Sequence, residues 1–182
     1  MKIYITGVAG LIGSSLAKYF ILQGHQVAGC DNLIGGYESN IPPTVLFQKL
    51  DINDTFKLSC HMDSWGVPFD VVIHCAALAY EGLSVFSPAL ITDNIYGGTV
   101  SVATAAIATK AKLFINCSSM ARYGELTPPF TEDMVCKPVD PYGLAKFHAE
   151  QQLELLSDIY PEFKYYTVVP HNVSGAHQVY TD

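Results

Sequence analysis

Apolar residues recur along the chain in two rhythms: short solid runs, and longer stretches at roughly helical spacing. The short runs are KIYIT (2–6), QVAGC (26–30), VLFQKL (45–50), DVVIHCA (70–76), KLFINCSS (112–119) and KYYTVVP (164–170). DVVIHCA in particular is apolar without alternation, the pattern of a strand covered on both faces. Between the runs lie predicted helices at 11–23, 93–109 and 142–158. In the first, Leu11, Ile12, Leu16, Phe20 and Leu22 are the candidate inward contacts, and Gly24 is a natural stop. The segment ahead of residue 45 is rich in Gly, Pro and Asn and reads as a connection. Strand–helix alternation without repeats or a low-complexity linker predicts an α/β fold, a doubly wound parallel sheet in three α/β/α layers. Such sheets bind ligands at the carboxyl ends of their strands. The segments to inspect are therefore GVAGLIG, DNL, DIN, CAALA, SSMARYG and PHNVSG, each of which follows a predicted strand.

Composition narrows the function classes. At 182 residues and 49% hydrophobic, the chain is one domain with a substantial core. A net charge of −7 argues against nucleic-acid binding, though it leaves room for a local basic pocket. No run of 18 apolar residues occurs to span a membrane, and MKIYITG begins as a strand rather than as a secretion signal. A cytoplasmic protein is expected. The five cysteines, at 30, 60, 75, 117 and 136, are odd in number and contain no Cys-x-x-Cys, so buried, reduced thiols are expected. The histidines lack a His-x-x-x-His pair, so no metal site is expected.

TGVAGLIGSSL (6–16) follows the first strand and opens a helix, with glycines at 7, 10 and 13. Glycine allows the tight turn and a close approach of phosphate to the backbone, and the helix N-terminus offers free N–H groups. Val8 occupies the second glycine position of the stricter Gly-x-Gly-x-x-Gly pattern. Asp31 ends the second strand, 24 residues after Gly7. A carboxylate there can accept from both adenosine ribose hydroxyls and repels a 2′-phosphate, which favours NAD over NADP. It is otherwise a strand-ending turn residue. Asp51 could reach an adenine edge, or could serve as a helix cap or turn residue.

PYGLAKFHAE carries Tyr142 and Lys146, which share a helix face at i, i+4. A nearby cation favours phenolate, as does a positively charged nicotinamide. Bringing a phenol from about 10 to about 7 requires about 4 kcal/mol, within reach of two close positive charges in a partly dry site.

The ordered set TGVAGLIG, Asp31, DI (51–52), HCAA (74–77), Asn94, SSMARYG and YGLAK resembles the extended short-chain dehydrogenase/reductase superfamily, in its nucleotide-sugar epimerase/dehydratase branch. The resemblance covers essentially the whole chain. It implies a Rossmann-type fold and NAD as cofactor. It assigns Tyr142 as general base and acid, Lys146 to the nicotinamide ribose and the tyrosine, and Ser119 to the reacting sugar hydroxyl. It implies a cofactor site of Gly7, Gly10, Leu11, Ile12, Gly13, Asp31, Asn32, Asp51, Ile52, Ala76, Ala77, Leu78, Asn94, Tyr142, Lys146, Pro170 and His171. Ser119, Tyr142 and Asn172 would meet a nucleotide-sugar substrate. Taken singly, Ser118, Ser119 and Asn94 could equally be caps or turn residues.

Dehydratases of this branch carry Asp-Glu after the serine or threonine. Here those positions hold Met120 and Ala121, which transfer no proton, and a related decarboxylase's glutamate is also missing. The resemblance therefore implies 4-epimerisation of a nucleotide hexose through a 4-keto sugar. The remaining alternatives are a dehydratase, a reductase, or an NAD-binding fragment or sensor without turnover. YEGLS (80–84) and PHNV (170–173) also resemble 4-epimerases. Arg122, Val169 and Ser174 depart from the pattern, the first two with a potential effect on charge near the diphosphate. Residues 1–170 are expected to form the NAD domain, and 171–182 the start of a connection to a substrate subdomain that this chain does not include. The resemblance also suggests a homodimer through the helices at 93–109 and 142–158, although Ala103, Ala105, Ala106 and Ala108 suit packing within the domain equally well.

Overall fold

A computed structural model describes residues 1–175. Residues 176–182, and with them much of the expected connection, lie outside the described residues. Among the described residues, six parallel strands form one sheet: β1 (Lys2–Thr6), β2 (Gln26–Asp31), β3 (Leu46–Lys49), β4 (Val71–His74), β5 (Phe114–Cys117) and β6 (Tyr165–Val168). Their order is β3-β2-β1-β4-β5-β6. Strand order reverses between β1 and β4, and the crevice at that seam is where such a sheet takes a ligand.

Successive strand residues face opposite sides, and both sides are covered. Ile3, Ile5, Val27 and Ile73 pack with Val8 and Ala17 beneath α1 (Leu11–Leu22). Tyr4, Ala28, Val72 and Phe114 face the other way, toward α2 (Thr55–Asp63), α4 (Gly98–Ala108) and α5 (Pro141–Ile159). Those helices contribute Leu58 and Met62, Val102, Ala103 and Ala106, and Leu153. Burial on two sides explains the absence of polar alternation in these strands.

Several boundaries differ from expectation. In α1 the buried residues are Gly13, Ser14 and Ala17, while Leu22 is 83% exposed. The helix lies so close to the sheet that its fully buried stripe is made of small residues; of the expected contacts Leu16 and Phe20 pack half-buried against the core, and Leu11 and Ile12 face a cavity. The sequence pattern does not signal α2, because only Leu58 and Met62 face inward. Its start is fixed locally: the Asp54 side chain accepts from Lys57 N at 3.1 Å. The helix expected at 93 begins earlier, as α3 (Pro88–Thr92) with proline in its first turn. It then passes through a π-helical turn, Asp93–Gly97, into α4. That turn breaks the helical period at the point where the pattern suggested a start. Ala103, Ala105 and Ala106 are fully buried within the domain, so they serve the packing of α4.

Two devices hold the seam together. The first is close backbone approach. A Cβ on Gly13 would collide with the Gly7 carbonyl oxygen, and one on Gly7, whose φ is +70°, would lie 2.7 Å from Ala76 N. The second is a polar row across the sheet. Thr6 pairs with His74 and His74 with Asn116, and Asn116 in turn pairs with Thr167. The Thr99 hydroxyl donates to Ile95 O at 2.7 Å, so it accepts from His74 Nε2 at 3.0 Å. His74 Nδ1 then accepts from the Thr6 hydroxyl at 2.7 Å. The ring is thus held as one neutral tautomer. Burial, with Lys146 adding to it, pushes its pKa down to about 3.

Two outcomes follow. Gly13→Ala has no relief from its collision with backbone and should cost roughly 1–3 kcal/mol in denaturant unfolding. The unfolded chain protonates His74 near 6.5, whereas the folded chain does so only near 3. Stability should therefore fall as pH drops through that window. His74→Gln, which gains no proton, should lose less stability than the parent between neutral pH and about pH 4.5 in paired denaturant titrations.

Candidate active site

At the carboxyl ends of β1, β2 and β4 lies a cavity of about 360 Å³. Gly7, Gly10, Leu11, Ile12, Gly13, Asp31, Asn32, Ile52, Ala76, Ala77, Leu78 and Asn94 all line it. These are residues singled out from the sequence, gathered here from five separate segments. Gly10 caps α1 without a side chain, so the first-turn N–H groups of the helix, which lack intrahelical partners, meet no capping oxygen. They form one end of the cavity. Asp31 ties two loops together: Oδ2 accepts from Ala9 N at 3.0 Å and Oδ1 from Leu33 N at 2.8 Å. Each oxygen keeps a further acceptor site.

Asp51 lies outside the wall. It holds a turn, accepting from Asn53 N at 2.9 Å and from Asn32 Nδ2 at 3.1 Å. Gly35, Gly36, Leu50, Cys75, Ala79, Tyr80 and Val173 line the cavity but were not among the expected residues. The Gly-Gly pair was a readable signal: a Cβ on Gly36 would lie 2.7 Å from Ala9 C, so this loop closes directly onto the β1–α1 turn.

Asn94 sits in the π-helical turn, and its Oδ1 accepts from Leu78 N at 2.7 Å. The widened turn aims it at the cavity wall. Beyond the wall, α5 brings Tyr142 and Lys146 to the end of β5. Asp140 caps this helix by accepting from Gly143 N at 2.9 Å, and Pro141 stands in the first turn. Tyr142 is 7% exposed and Lys146 is 5% exposed. The ammonium donates to Cys117 O at 2.7 Å and lies 5.9 Å from the Tyr142 ring centroid.

In the protein alone, with only one of the two expected positive charges present, the phenol is not lowered. Burial raises the Tyr142 pKa and outweighs the opposing pull of the Ser119 hydroxyl. Burial also lowers the pKa of Lys146. Both follow from one cause, the low dielectric of a site that disfavours charge. Ser119 also caps a 3-10 turn, Met120–Tyr123, accepting from Ala121 N at 3.2 Å. Its hydroxyl thus caps the turn while also hydrogen-bonding the Tyr142 phenol.

Arg122 is neutralised by the protein itself. Its guanidinium pairs with Glu150 at 2.7 Å, donates from Nε to Cys136 Sγ at 2.9 Å, and lies 5.3 Å from the Tyr123 ring centroid. The Ser118 hydroxyl donates to the same Glu150 carboxylate. The charge expected near a diphosphate is instead spent on clamping α5 to the turn that carries Ser119. Pro170 O accepts from Met120 N at 3.3 Å, joining the exit of β6 to that turn. The His171 ring lies 6.1 Å from Phe130, which stacks on Tyr123 at 4.7 Å. His171 and Asn172 are exposed beside the site, and neither lines the cavity.

Among the described residues, no group of three or more His, Cys, Asp or Glu could hold a metal ion, and no helix is long and apolar enough to cross a membrane.

Known proteins are similar to this chain in sequence and fold. A UDP-glucose 4-epimerase of Lactobacillus helveticus is 32% identical over 177 residues, which are 97% of this chain and 53% of that protein. The crystal structure of UDP-glucose 4-epimerase from Brucella ovis in complex with NAD superposes with a TM-score of 0.90 at 35% identity, covering 96% of this chain and 53% of that one. The Thermotoga maritima enzyme, solved with UDP-glucose, gives 0.86 at 32% identity, covering 92% of this chain and 54% of that one. The chain thus spans about half the length of these relatives. Residues 3–182 match the profile of the NAD dependent epimerase/dehydratase family. With that match, the glycine cradle and the Ser119, Tyr142 and Lys146 set on one Rossmann sheet, the chain belongs to the NAD dependent epimerase/dehydratase family.

Proposed function

We propose that this chain is the cofactor-holding and proton-transferring half of a nucleotide-sugar 4-epimerase. The observation that carries the reading is the meeting of Tyr142, Lys146 and Ser119 beside a cavity walled by Gly7, Gly13 and Asp31.

The cavity suits NAD. Side chains at Gly7 and Gly13 would collide with backbone, so the floor stays bare for a pyrophosphate, and the uncapped helix N-terminus favours its negative charge. Asp31 has acceptor capacity left for ribose hydroxyls and repels an added 2′-phosphate. Ile52 and Leu50 supply apolar wall, as do Ala76 to Leu78. In this reading Asp51, at the rim, meets the adenine edge, while Asn94 backs the wall and Pro170 and His171 flank the nicotinamide. NAD, when bound, supplies a hydride acceptor that can return the hydride.

The chain's own groups do the rest. Ser119 holds the reacting sugar hydroxyl, and Tyr142 takes its proton and later returns it. Lys146 binds the nicotinamide ribose and, with the ammonium close by, helps the phenol ionise. Asn172 binds the substrate diphosphate. The catalytic requirement is to overcome the burial that holds the Tyr142 proton on in the protein alone. Positive charge arriving with cofactor works in that direction. Met120 and Ala121 offer no second proton donor, which favours epimerisation over dehydration. We further assign residues 1–170 to this NAD domain, with 171–182 leading toward a substrate-binding part. We place the protein in the cytoplasm, as a homodimer joined through α4 and α5.

The test follows 4-epimer formation from UDP-glucose by NMR in protein containing residues 1–182, alongside NAD content after denaturation. Tyr142→Phe should lower turnover roughly 10²–10⁴-fold, the scale of general acid–base catalysis, with NAD affinity changed only a few-fold. Undiminished turnover in that variant would remove Tyr142 from its role. A product lacking the 6-hydroxyl would point to the dehydratase reading instead.

A further inference from the structure

The thiol groups of two cysteines have no role in what has been described so far. His74 and Asn116 are register partners on the parallel strands β4 and β5. Cys75 and Cys117 follow them directly, side by side at the carboxyl edge of the sheet, with their Sγ atoms 3.7 Å apart. Neighbouring strands run about 4.8 Å apart, within the roughly 4.4–6.8 Å between Cα atoms that a disulfide spans. The two sulfurs can therefore bond after small side-chain rotations, with the strands staying in register.

The other thiols are placed differently. Cys30 is sealed in the core beside Tyr4, Cys60 is exposed on α2, and Cys136 receives the Arg122 Nε donor. Cys75 is half-buried and lines the cavity, and Cys117, 9% exposed, stands with its Sγ 3.7 Å behind it, so a small reagent entering there meets the two sulfurs together. The surroundings also divide the labour. Donation from the Cys75 thiol holds Cys117 down at about 7 against its burial, and the Lys146 charge adds to the effect. Cys75 is pushed up by the same contact. Since the thiolate is the nucleophile, Cys117 reacts first and Cys75 second.

We propose that Cys75 and Cys117 are a redox-modification site, oxidised by hydroperoxides to a reversible disulfide at the edge of the cofactor cavity. The Cys117 thiolate attacks one peroxide oxygen. The O–O bond breaks, and the other oxygen leaves with a proton as an alcohol or water. This forms Cys117 sulfenic acid. The Cys75 sulfur then attacks the Cys117 sulfur. The S–O bond breaks, and hydroxide leaves with the Cys75 proton as water. In sum, two thiols lose two electrons and two protons, and one hydroperoxide is reduced to alcohol and water.

The bridge would act on the site through two attachments. Cys117 O is the acceptor that holds Lys146 Nζ, and Cys75 adjoins Ala76, the residue against which Gly7 is packed.

The test treats the reduced full chain with hydrogen peroxide, blocks the remaining thiols with iodoacetamide under denaturing conditions, and maps the peptides by mass. The expected result is one peptide pair linked through Cys75 and Cys117, with Cys30, Cys60 and Cys136 alkylated, and full reversal by dithiothreitol. Cys75→Ser should stop at Cys117 sulfenic acid, trapped by dimedone. Cys117→Ser should leave Cys75 alkylated. Failure to link the two peptides in the unmodified chain would overturn the proposal. So would a bridge that uses Cys60 or Cys136 in their place, or dimedone capture of Cys75 in preference to Cys117.

Discussion

The absence of a side chain at Gly13 is the constraint on which the rest of the molecule depends. A helix normally keeps its axis about 10 Å from a neighbouring layer because side chains intervene. Here the first turn of α1 lies directly on the Gly7 carbonyl, and Gly7 lies directly on the backbone of Ala76. Three backbone segments meet with nothing between them, so the helix N-terminus opens at the edge of the sheet. The same closeness decides which residues pack. The fully buried stripe of α1 is Gly13, Ser14 and Ala17, with Leu16 and Phe20 packed half-buried beside it, and Leu11 and Ile12 turn to the cavity.

On the other half of the seam the governing term is burial. Lys146, Tyr142 and His74 all sit in a dry layer around the ends of β4 and β5. Dryness holds each in its neutral direction: the phenol up, the ammonium and imidazole down. His74 is kept neutral by design, since its two nitrogens are both satisfied by threonines. Tyr142 and Lys146 are different. Their neutral bias is what an incoming charged ligand can reverse, because a low dielectric strengthens any new Coulomb interaction as well as penalising isolated charge. The Arg122–Glu150 pair, by contrast, is closed on itself and serves to fix α5 against the Ser119 turn.

Most of the sheet and most of the cavity wall were legible in the sequence. Strands such as DVVIHCA have no alternation to confuse them, and segments ending strands of a parallel sheet converge at one edge whatever their spacing. What was not legible depends on contacts between distant residues. The shortness of α2's apolar stripe hides it, since two inward residues suffice when Asp54 caps the start. Leu22 looks like a core residue because period alone does not show how near α1 stands to the sheet. Cys60, Cys75 and Cys136 were expected to be buried and are not: Cys60 lies on the outward face of α2, and Cys75 and Cys136 lie just past a strand end and in a loop. The direction of the Tyr142 shift also escaped the sequence, which supplies the neighbouring lysine but not the extent of burial.

The central claim is that the bare backbone at Gly7 and Gly13, together with Asp31, makes a dinucleotide cradle that discriminates at the adenosine ribose. Calorimetric titration of the chain with NAD and with NADP tests this most directly. The account predicts saturable one-to-one binding of NAD and much weaker binding of NADP. It also predicts that Asp31→Ala narrows the gap chiefly by weakening NAD. Equal affinities in the unmodified chain, or no heat of binding with NAD at all, would contradict it.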